Sequence, residues 1–284
     1  MPTLDQLQDP DFTFQAGAPF AERFGVTADP LTQPLAYEEA MYALNPRTAK
    51  GMLRLELEEA TTEWTPEDEA LIHQTSEDLG IKEPEYPFEL GREYDLMIIA
   101  GGARNALIDR GLYGAKALES GLIEVKKTVV IGEPRRIDEK RERPAIGDWV
   151  PPHVTTAFGM ATAAVDRMRA EYPDVYGESD AALSALHLQS RKPDQRAAVN
   201  EAILREGVRA GGRIAVVTTA LYVPFKIHKS RAIGTPLGVE VDVVGVPSRQ
   251  SVIDARTPDT YFSEITQTQM SAAQHSTAVR RLRR

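Results

Sequence analysis

Residues 95–110 read DLMIIAGGARNALIDR, and this stretch decides the fold. Its apolar run LMIIA is typical of a strand buried in a parallel sheet. Gly101 and Gly102 then form a turn, and the polar segment after them opens a helix. A strand, a turn and a helix N-terminus in this order place backbone N–H groups at one point, with Arg104 and Arg110 close by in the chain. The stretch therefore predicts a binding site for an anionic group.

After residue 95, strands alternate with helices at the interval of a parallel sheet. The predicted strands cover residues 96–100, 128–131, 185–188, 213–219 and 239–244. The predicted helices run from the glycine turn to Gly121 and over residues 155–172, 196–209 and 261–282. This alternation predicts an α/β fold, a mostly parallel sheet flanked by helices.

The first ninety residues predict a helical extension. Helical spacing runs through residues 37–44, 49–60 and 69–79, and the last of these helices begins after Thr65-Pro66. A connector with two prolines, 82–87, is the expected boundary. We therefore predict a helical N-terminal extension over 1–90 and an α/β domain over 91–284. Nothing in the extension resembles a site, and a homo-oligomer contact is one role open to it.

Composition excludes several classes of function. The chain has 284 residues and no cysteine, which removes thiolate metal sites and cysteine nucleophiles. A net charge of -9 argues against binding duplex nucleic acid. The five histidines are not paired at metal-ligand spacing, so no metal site is predicted. With no signal-peptide pattern and no apolar run near about 18 residues, we expect a cytoplasmic protein without membrane contact.

Small and polar residues follow the predicted strands, where open parallel sheets bind ligands. Gly101 and Gly102 either allow an anion to approach the backbone or adopt a positive φ in a tight turn. Glu133 and Arg135 contact either a ligand or each other. The segment 190–200 either contacts a ligand or caps the following helix. The candidate ligand-binding residues are Gly101, Gly102, Arg104, Arg110, Gly132, Glu133, Arg135, Ser190, Arg196, Asn200, Thr218 and Thr219.

A second cluster follows the strand end Thr218-Thr219. Tyr222, Lys226 and His228 are the candidates for proton chemistry, and the first two share a helix face if the segment is helical. The glycine turn is neither a Walker loop nor a full G-x-G-x-x-G, and the chain has no G-x-S-x-G elbow.

A set of motifs in fixed order resembles the YdcF/SanA/ElyC family, also called the domain of unknown function 218 (DUF218) family. The resemblance covers about residues 94–282. Its motifs are IIAGGARNALIDR, TVVIGEPRR, VTTAFGMATAA, SRKPDQRAAVN, RIAVVTTALYVPFKIHKSRAIG, VEVDVVGVPS and TYFSEITQTQMSAA.

The resemblance implies a Rossmann-like domain with a ligand pocket at the strand ends and no settled general reaction. One bacterial member is linked to S-adenosylmethionine, others to cell-envelope maintenance. The family's glycine turn matches Gly101-Gly102, its arginine Arg110, its polar motif 190–200 and its strand end Thr218-Thr219. The chain departs from the family in three ways. Ala103 replaces the third glycine, an Asn-Thr pair is missing from the polar motif, and Tyr222 stands where many members have histidine.

Three functions remain open at this point. The first is a cytoplasmic, transferase-like enzyme that binds a nucleotide or an S-adenosylmethionine-like anionic small molecule as ligand or cofactor. The second is a ligand-binding or assembly protein without turnover. The third is a phosphoryl- or glycosyl-handling hydrolase with a divalent metal on carboxylates such as Glu133, Asp138 or Asp242.

Overall fold

The chain divides into two compact units in a computed structural model. The first comprises Met1–Glu85, Ala220–Pro236 and Pro247–Arg284, and the second comprises Tyr86–Thr219 and Leu237–Val246. This division differs from the predicted one, because two segments beyond residue 90 belong to the first unit. The structure describes residues 2–46, 62–82, 85–102, 105–140, 142–177, 181–189, 195–248 and 256–282.

Helices and strands are numbered separately in chain order. The helices of the described ranges are α1 Leu4–Gln8, α2 Pro10–Arg23, α3 Pro34–Leu44, α4 Pro66–Asp78, α5 Ala106–Glu119, α6 Ala157–Glu171, α7 Pro173–Tyr176, α8 Gln195–Arg205, α9 Val223–Leu237 and α10 Pro258–Leu282. The strands are β1 Arg92–Tyr94, β2 Leu96–Ile99, β3 Ile123–Val125, β4 Thr128–Gly132, β5 Leu183–His187, β6 Arg213–Thr219 and β7 Glu240–Val246. The predicted helix 49–60 lies outside the described residues.

The second unit contains a five-stranded sheet in the order β5-β4-β2-β6-β7. All four strand pairs are parallel, which confirms the predicted α/β, Rossmann-like fold. Strand β2 takes the central place, and its four residues are all buried, as its continuous apolar sequence requires. A separate parallel pair, β1 with β3, was not predicted.

One face of this sheet packs against helices α5 and α6. Met97 and Ile99 of β2 point into this core, as does Val217 of β6. Two small residues of α5 permit the close packing: a Cβ on Gly111 would lie 2.6 Å from Met168 Sδ of α6, and one on Gly114 would lie 3.0 Å from Met97 Cε. The packing fixes where the N-terminus of α5 lies relative to the end of β2.

The first unit is helical. Helix α10 packs against α2, α3 and α4, and most of its residues are buried. The aromatic rings of Phe20 and Trp64 lie 5.0 Å and 5.1 Å from that of Phe262 on this helix. Among the described residues, no helix is both long enough and apolar enough to span a bilayer.

Candidate ligand-binding site

The crevice beside β2 is the point where the sheet order reverses. Strands β4 and β5 follow β2 on one side, and β6 and β7 lie on the other. Ligands of open α/β sheets bind beyond the carboxyl ends of the strands at such a point. Gly101-Gly102 follow β2 and Thr218-Thr219 end β6, and the register Ile99↔Val217 brings both to the same edge of the sheet. The expected convergence of these two segments is therefore present.

Arg110 of α5 connects the two strand ends. Its side chain is buried, with the residue 3% exposed. Nη1 donates hydrogen bonds to the carbonyl oxygens of Ala100 and Gly101, at 2.7 Å each. Nε and Nη2 donate to Thr219 Oγ1 at 3.3 Å and 2.8 Å. The guanidinium thus places a positive charge at the switch point and fixes the turn after β2.

The bonds from Arg110 also orient the peptide groups of the turn. In a planar trans peptide the N–H points opposite to the C=O. Because the carbonyls of Ala100 and Gly101 point at the guanidinium, the N–H groups of Gly101 and Gly102 point away from it. Neither N–H has an acceptor among the described residues. Two adjacent N–H groups of this kind form a concavity that binds anions.

Close approach, rather than an unusual dihedral angle, explains the two glycines. Neither Gly101 nor Gly102 has a positive φ. A Cβ on Gly102 would lie 2.7 Å from Arg110 Nη1, and a Cβ on Gly101 would lie 3.0 Å from the carbonyl oxygen of Ile131. The turn is therefore built so that the arginine can reach its carbonyls.

The N-terminus of α5 lies directly after this turn. Asn105 occupies the cap position but makes no side-chain cap hydrogen bond. Its Oδ1 instead accepts from Gly147 N at 3.0 Å and from Trp149 Nε1 at 2.9 Å. The side chain that would cap α5 is thus used to hold the loop between β4 and α6. The positive end of the helix dipole lies beside the turn without that cap.

Thr218 contributes a buried hydroxyl at the end of β6. The residue is 0% exposed, and its Oγ1 has no hydrogen-bond partner among the described residues. It points to the sheet face opposite Thr219, since neighbouring strand residues alternate. A buried hydroxyl left without a partner costs about 1–3 kcal/mol, so such groups commonly mark a water or ligand site.

Substitution of Thr218 tests this hydroxyl. Thr218→Val keeps the shape and removes the unpaired group, so we expect the free energy of unfolding to stay the same or rise by up to about 1–2 kcal/mol. The matched variant Thr219→Val removes the hydroxyl that accepts from Arg110, and we expect it to lower the free energy of unfolding by about 1–3 kcal/mol. Urea unfolding of both variants measures the difference. An equal loss in both would contradict the unpaired state of Thr218.

Gly132, Glu133 and Arg135 make structural contacts beyond β4. A Cβ on Gly132 would lie 2.5 Å from Phe158 Cα, so this glycine permits close packing on α6. Arg135 binds Glu142 through two hydrogen bonds of 2.7 Å and 2.9 Å and lies 3.3 Å from Glu133. Burial disfavours the Arg135 cation, but Glu142 outweighs this effect and the pKa of Arg135 rises above its ordinary value. The alternative of mutual ion pairing therefore describes these side chains.

Among the remaining candidate ligand-binding residues, Asn200 is the one whose backbone and side chain both belong to the described part of the chain. It lies half-buried on α8. Arg104, Ser190 and the side chain of Arg196 lie outside the described part of the chain. The segment 190–200 therefore stays a prediction as a ligand site.

The three candidates for proton chemistry are buried in the first unit. Tyr222 ends a 3-10 turn, Ala220–Tyr222, and its ring lies 5.8 Å from that of Phe225. Lys226 is buried on α9, with Nζ 6.0 Å from the Phe225 ring centroid. The shared helix face was expected only if the whole segment is helical, and here Tyr222 ends the 3-10 turn while α9 begins at Val223.

His228 is fully buried and makes hydrogen bonds within the first unit. Its Nε2 lies 2.8 Å from Thr13 Oγ1, and its Nδ1 lies 3.2 Å from Nδ1 of His275. Burial, followed by the charges of His275 and Arg231, lowers the pKa of His228 well below its ordinary value. Both ring nitrogens are occupied, so the geometry gives this imidazole a structural role rather than contact with a substrate.

Within the described ranges, no group of three His, Cys, Asp or Glu residues is arranged to hold a metal ion. The carboxylates considered for a hydrolase have separate partners. Asp242 accepts from Tyr94 Oη at 3.1 Å, Asp138 accepts from the Lys140 backbone N–H at 2.9 Å, and Glu133 pairs with Arg135.

Sequence reasoning missed Asn105 and Trp149 as residues of this site. Asn105 occupies a position where an asparagine ordinarily caps the helix, so its sequence position does not indicate that its side chain bonds to a distant loop instead. Trp149 lies 44 residues further along the chain, and no local pattern signals their contact.

Comparison with known proteins adds no assignment. No family model matches the chain, and neither the curated proteins nor the solved structures contain a significant match.

Proposed function

We propose that the second unit binds a small anionic ligand of the nucleotide or S-adenosylmethionine type at the Gly101-Gly102 turn. The observation that carries the proposal is the pair of N–H groups of Gly101 and Gly102, for which the described residues provide no acceptor. Arg110 orients them through the carbonyls of Ala100 and Gly101. Phosphate or carboxylate oxygens are the acceptors that such a pair selects.

Two further features support an anion there. The buried guanidinium of Arg110 and the N-terminus of α5, which Asn105 does not cap with its side chain, both add positive potential beside the turn. In a low-dielectric setting this potential acts more strongly than at an exposed surface. The unpaired Oγ1 of Thr218, at the end of the neighbouring strand, offers a ligand an additional donor or acceptor.

Calorimetry with AMP, ATP, S-adenosylmethionine and inorganic phosphate tests the proposal. We expect at least one organic probe to bind, and Arg110→Ala to weaken it by about tenfold or more through lost charge and a loosened turn. Arg167→Ala is the matched control, because it removes an equal charge from an exposed pair with Glu171 on α6. Circular dichroism checks that both variants are folded.

Two results would contradict this proposal. One is that the wild-type chain binds none of the probes. The other is that Arg110→Ala is folded and binds as tightly as Arg167→Ala.

The burial of Tyr222, Lys226 and His228 favours a second candidate, a binding protein without turnover. The two candidates differ in the fate of the probe. An enzyme of the transferase or hydrolase type converts a bound probe, whereas a binding protein returns it intact, as mass spectrometry can distinguish. The proposal also includes membership of this chain in the DUF218 family and a cytoplasmic location, and both are compatible with binding of a small molecule.

A further inference from the structure

Trp149 is held at the N-terminus of α5 by a hydrogen bond to Asn105. Its Nε1 donates to Asn105 Oδ1 at 2.9 Å, and Asn105 directly precedes the helix. The N–H of Gly147 donates to the same oxygen, and a Cβ on Gly147 would lie 3.2 Å from Trp149 Cδ1. The indole is thus held in one position beside Asn105, which follows Gly102 closely along the chain.

The loop that carries Trp149 is fixed at several points. Val150 and Ile137 are buried in the core of the second unit. Arg135 binds Glu142 in two hydrogen bonds, and Arg143 donates to the carbonyl of Val154. A side chain presented by such a loop is already ordered before a ligand arrives, which reduces the entropy lost on binding.

The indole ring is only partly buried. It packs against the core along one part and stays partly accessible along another. Because Nε1 is already used by Asn105, what the ring offers to a ligand is its π surface. Planar rings stack on such surfaces, and the stacking of a base on an aromatic side chain strengthens binding.

We propose that Trp149 is the stacking surface for the planar base of a nucleotide whose phosphate binds the Gly101-Gly102 turn. This inference rests on the proposed function, since it places the second half of the ligand whose anionic half the turn holds. It assigns each half of a nucleotide to a separate element, the phosphate to the turn and the base to Trp149.

A comparison of AMP with ribose 5-phosphate tests the stacking, because the two probes differ by the adenine base alone. In Trp149→Ala we expect AMP to bind about tenfold more weakly and ribose 5-phosphate to bind as in the wild type. Trp149→Phe keeps an aromatic surface and should recover most of the AMP affinity.

Fluorescence provides an independent measurement. The chain has two tryptophans, and Trp64 is stacked on Phe262 in the first unit. In Trp64→Phe the emission comes from Trp149 alone, and AMP is expected to quench it while ribose 5-phosphate leaves it unchanged. In Trp149→Phe the emission of Trp64 is expected not to respond to AMP.

The outcomes separate the two proposals. If the wild-type chain binds both probes and Trp149→Ala weakens both equally or neither, stacking is wrong and the anion site stands. If the wild-type chain binds neither probe, this inference is overturned, and calorimetry with ATP and S-adenosylmethionine decides separately whether the anion site falls too.

Discussion

Lowering the pH from 7 to 5 is expected to destabilise the first unit, by about 2 kcal/mol through His275 and by an additional amount through His228. Burial, followed by the charge of Arg231, lowers the pKa of His275 to about 4, although Asp9 raises it slightly. Burial, followed by the charges of His275 and Arg231, lowers the pKa of His228 well below its ordinary value. Both imidazoles are therefore neutral in the folded unit.

The direction of the pH effect follows from these pKa values. An unfolded histidine takes up a proton near pH 6.5, whereas folded His275 does so only near pH 4, and the pKa of folded His228 also lies well below its ordinary value. The unfolded state thus binds more protons in this window. Stability is fully present above pH 6.5 and is lost progressively as the pH falls towards 4.

Urea unfolding at pH 7, 6 and 5 measures this loss. Trp64 fluorescence in a Trp149→Phe background reports on the first unit, since Trp64 is stacked on α10. His275→Gln is expected to flatten the pH dependence. His153→Gln, at an exposed position in the second unit, is the matched control. An unaltered slope in His275→Gln, or greater stability at pH 5 than at pH 7, would contradict the role of the pair.

Gly132→Ala is expected to lower the free energy of unfolding by about 2–3 kcal/mol, because an added Cβ overpacks a rigid contact. That Cβ would lie 2.5 Å from Phe158 Cα and 2.9 Å from Ala161 Cβ of α6. Neither atom is the end of a flexible side chain. The strand end and the helix would have to separate.

Gly121→Ala is the matched control for this variant. Gly121 has a φ of 66°, and a Cβ added there would have no atom within 4 Å, so its substitution costs only backbone strain, about 1 kcal/mol. Thermal unfolding of the two variants gives the comparison. If Gly132→Ala were no less stable than Gly121→Ala, the contact between β4 and α6 would be looser than described.

Strands β2, β4 and β6 could be predicted because each is an apolar run buried on nearly its whole length. The valines of β7 also indicated a strand, whereas β5, with the sequence LSALH, gave only a weak signal. The pair β1 and β3 could not be predicted, since REY and IEV are short and partly polar and pair only with each other. The sequence pattern also did not predict helix α2. Gly17 and Pro19 lie in its interior, and Gly17 is there because Gln269 of α10 packs against it.

The sequence alone indicates where the proposed anion site lies, but it does not reveal the contacts that form it. The glycine turn and the arginine after it are local features of residues 95–110. The hydrogen bonds from Arg110 to Thr219 join residues 109 positions apart, and no sequence pattern specifies them. The burial of His228 was equally hidden, because its partners Thr13 and His275 come from opposite ends of the sequence.

The first unit is composed of three separate segments of the chain, and this limits how the protein can be dissected. A protease cut near residue 85 would not release an intact helical module, because α10 would remain on the other fragment. In the N-terminal fragment, Asn45 would be separated from its hydrogen-bond partners Ser263 and Thr266, and Tyr37 from its partner Gln269. Limited proteolysis at that point should therefore yield two fragments that stay associated until denaturant is added.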